Sequence, residues 1–193
     1  MNARLVRKRS ELHIYSDHRD ALDTLLSETG DRCAYSMQHV MQIGRTTMEV
    51  DHFNPTRLAN KNRNNAHGNL LCASRHCNGR KSNKWPSAAL LRKGVRLLNP
   101  YKERDYDRHI FEDLETGEVY SDSPAGKWHI RQLCLNDPFL VEARKDRTLL
   151  ARAVKQVKLL DNIEPAVIDL VKMVERVVLR KTIPAIKAGK RKK

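Results

Sequence analysis

Two stretches constrain this chain more than anything else in it: Met48-Glu-Val-Asp-His-Phe-Asn-Pro55 and Gly68-Asn-Leu-Leu-Cys-Ala-Ser-Arg-His-Cys-Asn-Gly-Arg-Lys81. The first reads as a short strand. Thr46 to Val50 is rich in strand formers, and Asn54-Pro55 breaks the run just after Asp51-His52. The second passes from a loop holding Asn69 through an apolar run into a short helix over 73–84, stopped by Trp85-Pro86. An Asp-His pair, an Asn-Leu or a Cys-Asn-x-x-Lys alone would signify little. All three in this order, on one basic chain, are hard to meet by accident.

The 193 residues carry a formal charge of +14, from 37 Lys and Arg against 23 Asp and Glu. So strong an excess favours a polyanionic partner, because neutralising phosphates releases condensed counterions; the bland alternative is a basic solvated surface. Cys33, Cys72, Cys77 and Cys134 do not form the pattern of a secreted disulfide scaffold. The basic start Met-Asn-Ala-Arg-Leu-Val-Arg-Lys-Arg has no apolar stretch after it, so no secretory leader is expected, and no run approaches a membrane span. A reducing cytoplasm is the expected setting. About fifty residues around the two stretches would bury little core alone, so they need support from both flanks.

Residues 1–12 form a basic arm with Arg4, Arg7, Lys8 and Arg9, either solvated or laid on phosphate. Residues 16–29 read as a helix capped by Ser16, with an apolar stripe of Ala21, Leu22, Leu25 and Leu26, ended by Gly30. Residues 56–68 are a polar, Asn-rich loop. Residues 87–100 form a short helix or packing segment. His109 to Tyr120 reads as a hairpin turning at Glu115-Thr-Gly117. Asn136-Asp-Pro138 starts a helix running to about Leu160, with Asn136 as its cap. Cys134, in Leu-Cys-Leu, reads as a small buried hydrophobe. A last helix opens at Asn162-Ile-Glu-Pro165. Its face of Val167, Leu170, Val171, Val174, Val177 and Val178 is expected to pack on the preceding helix, with a dimer or partner surface as the alternative. Residues 187–193 are a basic tail.

The two stretches resemble the HNH nucleases, whose pattern is an acidic-His pair, an Asn-Leu and a Cys-(His or Asn)-x-x-Lys ending. Arg32-Cys-Ala-Tyr-Ser36 is similar to the family's lead-in turn. The core match covers roughly residues 30–85, and a looser one, through Leu98-Asn-Pro100, 109–117 and 133–144, reaches about 145. The fold this implies is α+β. A ββα-metal core over 30–86 follows a basic arm and lead-in helix over 1–29; a hairpin extension over 87–145 and a helical C-terminal region with a basic tail over 146–193 come after it.

Phosphodiester hydrolysis needs an activated water, neutralised phosphate charge and a stabilised leaving oxygen. An imidazole and one divalent cation can supply these. The resemblance implies His52 as general base, Asn69 as the residue that braces the loop and orients it, and Asp51 and Asn78 as metal ligands. An aspartate and an amide are hard oxygen donors, which suit Mg²⁺ or Mn²⁺. Lys81 and Arg80 are expected to contact phosphate as positioning charges.

Family members with a structural zinc have two Cys-x-x-Cys knuckles. Here they read Cys33-x-x-Ser36 and Ser74-x-x-Cys77, a poor zinc set, and no structural zinc is expected. A rebuilt site of Cys33, Cys72 and Cys77 with His39 or His76 is the alternative. The expected activity is metal-dependent DNA endonuclease, in a restriction or phage-defence setting. RNA as substrate, an ATPase or other protein partner, and a homo-oligomer stay open. The competing function is a catalytically silent module that grips nucleic acid, or a subunit of a larger complex.

Overall fold

A computed structural model describes residues 9–56, 58, 64–102, 105–175 and 187–188, the last pair by backbone alone. Most of the expected basic arm, part of the Asn-rich loop, the end of the last apolar face (Val177, Val178) and nearly all of the basic tail lie outside the described residues.

The chain is α+β. A 3₁₀ turn, His18–Ala21, leads into α1 (Leu22–Thr29). Asp17, not Ser16, caps this entry, its carboxylate accepting the Arg19 N–H. Gly30 ends α1 at φ 62°, a left-handed position that glycine enters without a Cβ penalty. A tight turn through Cys33–Met37 reaches α2 (Val40–Ile43), and a 3₁₀ turn then feeds β1 (Met48–His52). β2 (Leu70–Ser74) pairs antiparallel with β1, setting Asp51 opposite Leu71 and His52 opposite Leu70. α3 (Arg75–Lys81) follows without a linker, because Ser74 both ends β2 and caps the helix by accepting the Cys77 N–H. It stops at Lys81, earlier than expected; Ser82 turns the backbone to φ 45°, and Trp85 packs edge-on against Phe53.

The second half wraps this unit. α4 (Ala88–Arg92) lies on the surface, and Val95, Leu97 and Leu98 then turn inward. α5 (Asp105–His109) precedes the expected hairpin, β3 (Phe111–Glu112) with β4 (Val119–Tyr120), and Lys187–Ala188 pairs in parallel with β3. Gly117, at φ 72°, makes the hairpin turn; a Cβ there would lie 2.7 Å from the Val141 carbonyl oxygen. α6 (Pro124–Gln132) and α7 (Pro138–Val157) follow. Asn136 does not cap α7. Its amide brackets Val119 instead, donating to its carbonyl and accepting its N–H, and so ties hairpin to helix. Cys134 is half-buried in a turn at φ 49°, not a core residue. α8 (Pro165–Val174) touches α7, yet Leu170 and Met173 stay exposed. Among the described residues no helix is long and apolar enough to cross a membrane.

One hydrophobic core runs from Tyr15 through Leu25, Leu71 and Leu98 to Leu140, so both flanks support the β1–β2–α3 unit. His129 is the polar joint within it. Its Nδ1 accepts the Leu98 N–H at 3.2 Å, which leaves Nε2–H to donate to the Tyr106 hydroxyl at 3.0 Å. Burial holds this imidazole neutral and lowers its pKa from 6.5 to about 3. The unfolded chain therefore binds a proton that the fold refuses throughout that interval. Stability from this group is complete above pH 6.5 and falls as pH drops toward 3, by at most about 1.4 kcal/mol per pH unit. Urea unfolding across this range should show the decline, and the His129 ring resonances should not titrate above about pH 5.

Candidate active site

β1 alternates, so Glu49 and Asp51 share one face, and α3 packs on that face. Asp51 is only 5% exposed, and both of its oxygens are engaged. Oδ2 accepts the Tyr35 hydroxyl at 2.6 Å, and Oδ1 accepts from Lys81 Nζ at 2.8 Å. Lys81, expected as a surface phosphate contact, is instead 1% exposed and donates also to the His52 carbonyl at 2.6 Å. It lies inside because it follows buried Cys77 by one helical turn, on the inward face. Burial raises the Asp51 pKa against the lowering effects of Lys81, Tyr35 and His52.

Asn78 projects from the middle of α3. Its Nδ2 donates to Glu49 Oε2 at 2.8 Å, while Arg75 donates to Glu49 Oε1 at 2.9 Å. Burial raises the Glu49 pKa, but these two donors outweigh it and the net shift is downward. Glu49 is a site residue that the motif reading missed. Its signal was the two-residue spacing from Asp51, which places two carboxylates on one face of a strand.

His52 ends β1, half-buried. Its Nε2 lies 3.0 Å from Asn65 Oδ1, and its ring centroid is 4.9 Å from that of His18. Burial first, then the His52 ring, depresses the His18 pKa. Asn69 ties the two sides of the loop together: Oδ1 accepts the Asn54 N–H at 2.8 Å, and Nδ2 donates to the carbonyls of Asn54 and Asn64. Its backbone carbonyl accepts the Phe53 N–H at 2.8 Å. The side-chain contact to His52 comes from Asn65, not Asn69. Arg80 is exposed, and its guanidinium lies 3.3 Å from Asp137.

The two half-knuckles meet in the core. Cys33 Sγ accepts the N–H groups of Ser36 and Ser74 at 3.4 and 3.2 Å, and the Cys77 thiol bonds to it. Burial pushes the Cys33 thiol up, but these bonds outweigh it and hold it down at about 5; Cys77, as donor to Cys33, is pushed up. The Cys72 side chain is separately buried, with its pKa raised by burial. The two histidines considered as further zinc ligands are otherwise engaged. His39 caps α2 by accepting the Met41 N–H, and His76 faces Asp137 and Phe139.

Among the described residues, no group of three or more His, Cys, Asp or Glu side chains is placed to hold a metal ion. The expected ligands are fewer. Asp51 offers carboxylate oxygens and Asn78 an amide oxygen, a pair whose hardness fits Mg²⁺ or Mn²⁺ with water in the remaining positions. The Lys81 ammonium at Asp51 shows that this carboxylate is already organised around a positive charge. Compared with models of known protein families and with curated proteins, the chain matches none.

Proposed function

We propose that the chain is a metal-dependent endonuclease of the HNH type, acting on DNA. The observation that carries this reading is the convergence on the β1–β2–α3 unit. Asp51 and His52 end β1, Asn69 leads into the strand paired with it, and Asn78 and Lys81 stand on the helix packed across both. In this reading His52 takes the proton from the attacking water. Asp51 and Asn78 hold the cation, with Glu49 orienting the Asn78 amide so that Oδ1 is the oxygen offered to it. A bound divalent cation would supply charge for the phosphate and the leaving oxygen. The excess of basic side chains supplies affinity for the backbone without sequence information.

A second reading has its own support. Tyr35 and Lys81 occupy both Asp51 oxygens, which suits a silent scaffold that binds nucleic acid by charge alone. Plasmid incubated with the purified chain, with Mg²⁺, with Mn²⁺ and with a chelator, separates the two. Cutting that needs the cation is the expected result; salt-sensitive binding with no cutting under any of these conditions favours the scaffold. Asn78→Ala should raise the metal concentration needed for half-maximal cutting by about tenfold or more, as loss of a ligand does. An unchanged metal requirement would remove Asn78 from the ligand set.

A further inference from the structure

We propose that Asn65 is a positioning residue that fixes the tautomer of His52, and that the N-terminal segment holds it in place to do so. This rests on the nuclease reading for its catalytic consequence, though not for its geometry.

Hydrogen-bond chemistry sets which way the Asn65 amide points. A backbone carbonyl can only accept, so the Asn65 contact at the Ser16 carbonyl, 3.4 Å away, assigns Nδ2 to that side. Oδ1 then faces His52 Nε2 at 3.0 Å, and an amide oxygen can only accept. Nε2 must therefore carry the ring proton, and Nδ1 is left as the lone pair that takes a proton from water. A neutral imidazole in solution exchanges between both tautomers; one held acceptor removes that choice.

Asn65 lies just after a polar loop and does not hold this position alone. The N-terminal segment runs antiparallel beside it, bridging at Ile14 and Ala66. Tyr15 N–H donates to the Asn65 carbonyl at 3.1 Å, and His67 N–H donates to the His13 carbonyl at 2.7 Å. Beneath this, His67 lies fully buried between the Tyr15 hydroxyl at 3.2 Å and Glu28 of α1 at 2.7 Å. A segment outside the β1–β2–α3 unit thus sets the orientation of its base.

The test uses the full chain with ¹⁵N-labelled histidine. In the wild type at neutral pH, the His52 signals should show a protonated Nε2 and a bare Nδ1. Asn65→Ala should give a mixture of tautomers, with kcat for plasmid cutting down about 10- to 100-fold and KM nearly unchanged. Asn65→Asp keeps an acceptor oxygen for Nε2–H while losing the donor to the Ser16 carbonyl, and should restore the Nε2–H tautomer that Asn65→Ala loses. A wild-type His52 protonated on Nδ1, or an Asn65→Ala variant with wild-type tautomer and kcat, overturns the proposal. The tautomer is read without substrate. A chain that holds Nε2–H through Asn65 and cuts nothing with any cation therefore establishes the grip and refutes the nuclease reading.

Discussion

His52→Ala is expected to lower the rate of plasmid cutting by about 10²- to 10⁴-fold, the usual contribution of a positioned general base, while leaving DNA binding within about twofold of wild type. The separation follows from where each function resides. Binding draws on a formal charge of +14, which this substitution leaves untouched. The proton transfer draws on one ring nitrogen. The fold should survive as well, because Lys81 grips the His52 backbone carbonyl rather than its ring, and alanine keeps that carbonyl. The lost contacts are with Asn65 and the His18 ring, both at a half-buried edge. Cutting rates at saturating Mg²⁺, with binding measured at several salt concentrations, check both halves. A variant with unchanged salt dependence and wild-type cutting would remove His52 from the chemistry.

The parts of the site that were legible in the sequence are those set by local periods. A five-residue strand ending in Asp51-His52, and Asn78 with Lys81 one turn apart on a short helix, follow from strand and helix geometry. The inward direction of Lys81 was misread as a phosphate contact, although Cys77 and Lys81 are four apart and a buried Cys77 carries Lys81 in with it. The role of Asn65 was not. It depends on residues 11–16 pairing with 64–68, and nothing local marks that pairing. Caps failed where a competitor stood nearby. Ser16 and Asp17 are both capping residues, and backbone geometry chose the second. Asn136 had the right type for a cap, but the hairpin took its amide with two hydrogen bonds.

Lys81→Met carries the largest expected effect on stability. Methionine fills nearly the same volume and leaves the apolar contacts of the stem, so the change isolates the ammonium. Its loss leaves the Asp51 carboxylate buried with only the Tyr35 hydroxyl, and the His52 carbonyl without the donor at 2.6 Å. Breaking one side of a buried pair in this way costs about 3–5 kcal/mol, because the remaining charge is desolvated and uncompensated. For a chain of this length that is a fall in Tm of roughly 6–20 °C. The double variant Asp51→Asn with Lys81→Met should recover much of this loss, since an amide needs no counter-charge; thermal or urea unfolding of wild type, the two single variants Lys81→Met and Asp51→Asn, and the double variant gives the coupling. Divalent cation adds a second discriminating arm. If Asp51 is a metal ligand, Mg²⁺ should stabilise Lys81→Met more than wild type, because it supplies the positive charge the variant lacks and stabilises the state that binds it. Mg²⁺ should do nothing comparable for the double variant. A Lys81→Met loss below about 1 kcal/mol would place the pair in the class of exposed ion pairs. A large loss with no response to Mg²⁺ would mean that lysine is the only cation this carboxylate accepts, and the silent scaffold would then be the better account of the site.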